Sequence, residues 1–350
     1  MLNANRAAPQ SVAELEDQLS TPSPRAIEVL GGLDGDLILL GVGGKMGPTL
    51  ARMARRASDA AGVQRRVIGV SRFSSGDLRR RLESWGVETI AANLLRDEDV
   101  AALPDAAYVI CMTGLKFGAS QNPGLTWATN CYLPALVCRR YRDSRIVAFS
   151  TGNVYGMVPV ASGGSVETDP LRPDGEYAMT ALGRERMFEY FSRDQNHNQK
   201  IPVALLRLNY ATELRYGVLV DLAQQVWHEQ PIDVSIGHVN VIWLADANAM
   251  TLAAFPHAES PPRIINIGGP DILNLRDVGR RCGEFFGKPV RFIGEAGPAA
   301  LLNNGRLGYE LLGEPQIGLD QMLRWTADWV ARGGESLGKP THFQVRDGKF

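Results

Sequence analysis

A chain of 350 residues, 45% hydrophobic and 21% charged, has the make-up of one large or two smaller globular domains, which excludes wholesale disorder. Thirty-seven basic residues against 38 acidic ones leave a formal net charge of -1, no footprint for nucleic acid or an anionic membrane. No apolar run approaches the roughly 18 residues of a membrane helix, and the charged N-terminus lacks a hydrophobic segment, so a cytoplasmic protein is expected.

Residues 1–34 read as an N-terminal arm packed on the domain that follows. Ser11 and Glu14 have capping-box spacing and predict a short helix, which the prolines of Thr21-Pro-Ser-Pro24 break. From residue 35 the pattern changes. Short apolar runs at 37–40, 67–70, 107–112, 145–149 and 203–208 alternate with helical periodicity, Leu50, Met53, Ala54 and Ala57 being the first such helix. Strands alternating with helices predict an α/β, doubly wound parallel sheet of Rossmann type over residues 35–208. A later strand near 264–268 is expected to return to that sheet. Segments 209–262 and 270–335, richer in proline and glycine, then form a smaller, discontinuous C-terminal substrate lobe. The tail, 336–350, is polar with a few aromatics and carries no legible role.

Two arginine clusters, Arg52, Arg55 and Arg56 and then Arg79 to Arg81, read as solvated helix faces, with a cofactor phosphate contact as the sharper alternative. Cys111, Cys131, Cys138 and Cys282 lack CxxC spacing and fit buried reduced thiols. The five histidines show no ligand spacing, so no metal site is expected.

The chemistry begins at the loop Gly41-Val-Gly-Gly-Lys-Met-Gly47, which follows a strand and opens a helix. Two registers are open: Gly41, Gly43 and Gly47, or Gly41, Gly44 and Gly47. In either, small residues let the backbone approach a pyrophosphate at a helix N-terminus, with Lys45 and Met46 in the turn. Pro48 suits the first helical turn. A Walker-type loop is disfavoured because Lys45 is not followed by Ser or Thr. The second strand ends at Ser71-Arg72, where an acidic residue would bind a ribose 2′-hydroxyl. Ser71 carries no charge and Arg72 can pair with a 2′-phosphate, so NADP is favoured over NAD; an exposed arginine after a strand is the plainer reading.

Further motifs accompany the loop: Phe149-Ser-Thr-Gly-Asn-Val-Tyr-Gly156 after a strand, Glu176-Tyr177 with Glu185 on a helix, Asn266-Ile-Gly-Gly269, and Leu319-Asp-Gln-Met-Leu-Arg-Trp325. Over roughly residues 35–330 the chain resembles the extended short-chain dehydrogenase/reductase superfamily, in its NAD-dependent epimerase/dehydratase group. That resemblance implies a catalytic pair, Thr151 and Tyr177, flanking the reacting oxygen, with Thr113 and Gly114 beside the cofactor and Asn153 by the substrate. It also implies a lysine four residues after the tyrosine, and here the chain departs: the residue is Ala181. A free phenol titrates at about 10, so a cation is needed to populate phenolate. Three readings stay open. Lys116, in the loop after the apolar run 107–112, or secondly Arg184 on the Tyr177 helix, replaces the lysine; or Tyr177 works unassisted; or the protein binds dinucleotide without redox chemistry, as a sensor or scaffold.

Asn130 falls where the family has an asparagine that holds backbone or water, and Asp246 resembles the second lobe's structural aspartate. The Arg-Asp-Phe run of nucleotide-sugar enzymes is replaced by Val239-Asn-Val241, which favours a smaller sugar, sugar acid or polyol. Asn209, Arg215, His238 and Lys116 are the candidate substrate contacts. The expected function is an NAD(P)-dependent oxidoreductase or epimerase, with a small-molecule substrate and a homodimer built on the helices near 125–141 and 177–191.

Overall fold

The structure, a computed structural model, describes residues 7–74, 76–193, 200–339 and 341–344. The first six residues of the expected arm and the end of the expected tail, 345–350, lie outside them. Seven parallel strands form the central sheet: β1 (Leu37–Leu40), β2 (Val67–Ser71), β3 (Glu88–Ala91), β4 (Tyr108–Cys111), β5 (Arg145–Thr151), β6 (Val203–Leu208) and β7 (Arg263–Ile267). Their order across the sheet is β7-β6-β5-β4-β1-β2-β3. All four residues of β1 are buried because the sheet is covered on both faces. Leu37 and Leu39 enter one core and Ile38 and Leu40 the other, as the two-residue repeat of a strand requires. The edge strand β3 has no such run. Glu88 and Ala91 are exposed, so its apolar content falls below what pattern reading detects.

The helices are α1 (Val12–Leu19), α2 (Pro24–Gly31), α3 (Gly47–Ala60), α4 (Gly76–Ser84), α5 (Asp97–Ala101), α6 (Pro123–Trp127) and α7 (Leu133–Arg140). They continue with α8 (Gly175–Ser192), α9 (Val218–Trp227), α10 (Leu244–Ala253), α11 (Leu275–Phe286), α12 (Arg306–Leu312) and α13 (Leu319–Ala331). Among the described residues no helix is long and apolar enough to cross a membrane.

The arm holds two helices. Ser11 caps α1 by accepting from the Glu14 amide at 3.2 Å, while the Glu14 carboxylate accepts from Gln10 N–H at 2.7 Å. The proline stretch that ends α1 also begins α2: Ser23 accepts from Ala26 N–H at 3.1 Å, and Pro24 takes the first helical position. Leu15, Leu19 and Leu30 are fully buried with α3 and α10 in the larger core. The arginine clusters fasten this arm. Arg52 and Arg56 pair with Asp17 at 3.2 and 3.1 Å, and Arg81 reaches Glu16 at 2.9 Å. No phosphate role is needed to account for those three.

After β6 the chain builds α9 to α13 with short two-residue ladders: Ile232–Asp233 beside Phe292–Ile293, and His238–Val239 beside Leu273–Asn274. Asp246, on the buried α10, accepts from Ile317 N–H at 3.1 Å and so ties this helix to the chain before α13. The strand order reverses beside β1, whose neighbours are β2 and β4. Ligands of open α/β sheets bind at the carboxyl ends of strands flanking such a reversal, which here are the loops after Leu40, Ser71 and Cys111.

Candidate active site

The loop after β1 is shaped by close backbone approach. Gly41 has φ 95°, and a Cβ there would fall 2.6 Å from Thr113 Oγ1. A Cβ on Gly47, the first residue of α3, would fall 2.1 Å from Val42 O. Gly43 abuts the Ser71 hydroxyl, whereas a Cβ on Gly44 would meet only Gly41 O at 3.6 Å. Both registers read from the sequence therefore have a physical side: Gly43 is required by packing against β2, and Gly44 faces open space. Met46 precedes the helix and packs against the larger core. Ser71 ends β2, and Arg72 follows it, exposed.

Above this loop runs the segment after β4. Thr113 Oγ1 is buried with no hydrogen-bond partner among the described residues, directly against Gly41. A glycine cradle with an orphaned hydroxyl beside it fits a dinucleotide whose phosphate and ribose oxygens supply the missing partners. Gly114 lies against Arg184, where a Cβ would sit 2.5 Å from Nη2. Asn130 grips the next residue from both sides, accepting from Leu115 N–H at 2.9 Å and donating to Leu115 O at 3.0 Å. It can do so because α6 and α7 are joined by a π-turn, Ala128–Tyr132, which swings Asn130 toward the loop. Arg184 donates to Asn130 Oδ1 at 2.5 Å and to Phe149 O at 2.9 Å.

Three residues taken from separate parts of the sequence come together here. Thr151, the last residue of β5, hydrogen-bonds the Tyr177 hydroxyl. Thr151 also donates to Asn153 Oδ1 at 2.9 Å and accepts from Asn153 N–H at 3.2 Å. Lys116 Nζ lies 5.6 Å from the centroid of the Tyr177 ring. Burial raises Tyr177 above the ordinary phenol value, while the Thr151 hydrogen bond and the Arg184 charge pull it back. Burial lowers Lys116 to about 8. Ala181 is buried among Val154, Tyr155, Leu171 and Leu182 and brings no charge.

Around this group stand Lys45, which the sequence reading placed in the cofactor turn, and Phe117, Tyr216 and His342, which it did not select. Lys45 Nζ lies over the Tyr216 ring and 5.1 Å from the centroid of Phe117. Its ammonium is lowered to about 7 by burial and then by the charges of Lys116 and Lys339, against Glu213 and Asp221. The Phe117 ring also packs on His342, with centroids 6.2 Å apart. No spacing rule links residues 45, 117, 216 and 342, so only the fold brings them together.

Of the remaining expected substrate contacts, Asn209 lies against Gly152, next to Thr151, while Arg215 and His238 are engaged with other residues. Asn209 is buried and donates to Asn240 Oδ1 at 2.8 Å and to Leu301 O at 3.3 Å. Arg215 is buried in ion pairs with Glu213 and Glu16, at 3.1 and 3.2 Å, a position that burial of both signs together makes structural. His238 sits in a two-residue strand, its Nε2 3.3 Å from Asn274 Nδ2. The four cysteines are free thiols, and among the described residues no group of His, Cys, Asp and Glu could hold a metal.

The chain resembles solved structures in its fold. These include a UDP-glucose 4-epimerase of Thermus thermophilus in complex with NAD, 20% identical, covering 85% of this chain and 99% of that one at a TM-score of 0.67. A UDP-glucuronic acid 4-epimerase of Bacillus cereus with UDP-glucuronic acid and NAD is 18% identical, with coverage of 85% and 99% and a TM-score of 0.68. A dTDP-glucose 4,6-dehydratase of Bacillus anthracis with NAD is 13% identical, with coverage of 86% and 97% and a TM-score of 0.69. Comparison with curated proteins found no match. The model of the NAD dependent epimerase/dehydratase family matches residues 37–212, from the first strand through the glycine loop and the Thr151–Tyr177 pair to just past β6, and the chain belongs to that family of enzymes.

Proposed function

We propose that the protein is an NAD(P)-dependent oxidoreductase or epimerase acting on a hydroxyl or carbonyl of a sugar, sugar acid or related polyol. The observation that carries this reading is the convergence of Thr151, Tyr177 and Lys116 beside the glycine cradle. The dinucleotide would lie along Gly41, Gly44, Lys45, Met46 and Gly47, with Thr113 and Gly114 above it. Its nicotinamide, when bound, supplies the acceptor or donor of hydride.

The protein's own part is the proton. Thr151 and Tyr177 address the substrate oxygen together: Tyr177 Oη gives its proton to a carbonyl oxygen, or takes one from a hydroxyl, while Thr151 Oγ1 fixes the oxygen's position. Lys116 provides the positive charge that makes the phenolate accessible, replacing a lysine at position 181. Asn130 holds the Lys116 loop, and Arg184 adds charge from beneath.

NADP is the proposed preference, supported by the absence of a carboxylate at Ser71 and by the exposed guanidinium of Arg72 after β2. The structures named above carry NAD in their descriptions, so the comparison with NAD in the assay is essential. Residues 209–262 and 270–335 are the proposed substrate lobe. A homodimer is proposed from Leu125, Trp127, Tyr132, Met179 and Tyr190, large apolar side chains exposed on the α6–α7 and α8 helices.

The test is oxidation and reduction of a sugar panel with both cofactors. Tyr177→Phe should lower turnover by about 100-fold or more while cofactor binding persists. A variant as fast as the wild type would overturn the assignment.

A further inference from the structure

Four segments far apart in the chain meet in a closed circuit beside Tyr177. The loop after β4 presents Phe117 next to Lys116, whose Nζ lies 5.7 Å from the Phe117 centroid and 5.6 Å from that of Tyr177. From the loop after β1, Lys45 Nζ stands 5.1 Å from the centroid of Phe117 and 2.9 Å from that of Tyr216. Tyr216 and Gly217 lead directly into α9, whose first turn carries Asp221. Thr341 gives both its N–H and its O–H to Asp221 Oδ2, at 2.8 and 2.6 Å. The next residue, His342, closes the circuit, its ring centroid 6.2 Å from that of Phe117.

The tail is fastened firmly enough to act on that loop. Leu337 N–H donates to Arg215 O at 3.0 Å, one residue before Tyr216. Thr341 and Phe343 are both buried, Phe343 in the larger core, so the residue between them is held from either side. His342 itself is exposed and has φ 54°, the left-handed region that a residue with a side chain enters at a cost. Burial of its two neighbours imposes that turn, and the turn sets the imidazole against Phe117. The loop in question is held at Leu115 by Asn130 and at Ala119 by the Thr126 hydroxyl, which donates to Ala119 O at 3.1 Å. Lys116 and Phe117 lie between those anchors, and it is the Phe117 side chain that the tail covers.

We propose that the tail is a strap tying α9 to the Lys116 loop, and that His342 is a positioning residue. Its ring holds Phe117 and so sets the place of the Lys116 ammonium beside Tyr177. This deepens the reading given above and rests on it for the part Lys116 plays in turnover.

The test uses the full-length protein with His342→Gly and His342→Phe. Glycine takes the left-handed turn without strain and leaves Thr341 and Phe343 in place, so the melting temperature should stay within about two degrees of the wild type while the ring is lost. In hydrogen exchange without cofactor, the segment 113–119 should exchange about tenfold faster in His342→Gly and close to the wild-type rate in His342→Phe. In the glycine variant kcat should fall about tenfold, with KM for the dinucleotide within about twofold, and the phenylalanine variant should recover most of the loss. In a Lys116→Ala background, His342→Gly should lower kcat no further, because it acts through that lysine. Wild-type exchange in His342→Gly would overturn the proposal. Where Lys116→Ala itself slows turnover, so would an unchanged kcat in His342→Gly, a phenylalanine variant as slow as the glycine one, or a tenfold loss that persists without Lys116. The two readings fail separately. If Lys116→Ala alone turns over normally, the catalytic assignment of Lys116 falls, and the exchange result by itself decides whether the tail holds the loop.

Discussion

Lys116 Nζ and the Tyr177 ring lie 5.6 Å apart, although 61 positions separate the two in the chain and the helix carrying Tyr177 has alanine four residues on. The phenol and its cation thus come from two elements, α8 and the loop after β4. Lys116→Ala should lower kcat by roughly 100-fold and leave the dinucleotide dissociation constant within about twofold; Lys116→Arg should recover part of the loss. Steady-state kinetics beside a fluorescence titration of cofactor would check this. Undiminished turnover in the alanine variant would remove Lys116 from the mechanism.

Arg184 is a different kind of cation. It is buried and holds Phe149 O and Asn130 Oδ1 together. Arg184→Met strips those acceptors of a charged donor, so it should cost about 2–3 kcal/mol of stability in urea denaturation. Lys116→Ala should shift the same curve by less than about 0.5 kcal/mol. Equal effects would mean that the two cations do not divide their work in this way.

The two glycine registers give opposite expectations at neighbouring positions. Gly47→Ala drives a Cβ into Val42 O and should destabilise the fold by several kcal/mol, roughly the cost of a severe packing clash. Gly44→Ala meets no closer atom than Gly41 O at 3.6 Å and should melt at the wild-type temperature. Its effect should appear only as weaker dinucleotide binding, on the order of tenfold. Wild-type affinity in Gly44→Ala would leave Gly43 as the second glycine of the motif.

The lowered lysines make dinucleotide binding depend on pH. Lys45 and Lys116 are ammonium groups below their values of about 7 and about 8, and neutral above them. Glu213 and Asp221, raised by burial, can only add negative charge as pH rises. Every one of these changes has the same sign, so affinity for the anionic dinucleotide proposed to lie along Lys45 should fall by about tenfold from roughly pH 6 to roughly pH 9. Calorimetry across that range would check it; affinity that rises with pH would contradict the assignment of charge.

What the sequence disclosed depends on how local each signal is. The strand runs at 37–40, 67–70 and 203–208 are legible because burial on both faces makes them continuous, and Ser11 betrays a helix start by capping chemistry, whereas the helix capped by Ser23 hides behind prolines that read as a break. The glycine loop and the motif around Thr151 are short and contiguous, so they too can be read. The edge strand Glu88–Ala91 escapes because half of it faces water. Arg215 attracts attention as an arginine in the right region, yet its partner Glu16 is supplied by the N-terminal arm, a pairing that no local pattern announces. Phe117, Tyr216 and His342 are equally silent, since aromatic rings around a cleft have no periodicity to betray them.

The π-turn at Ala128–Tyr132 works as a gearing element. It carries one residue more than a regular helical turn would need, and Asn130, the side chain that clasps Leu115, is seated inside it. Removing one residue there would restore an ordinary helix and rotate everything on one side by about 100° relative to the other. Either Asn130 or the packed face of α7 would then point away from its partner. The length of a helix joint, invisible in any list of catalytic groups, thereby fixes how far a lysine stands from a phenol.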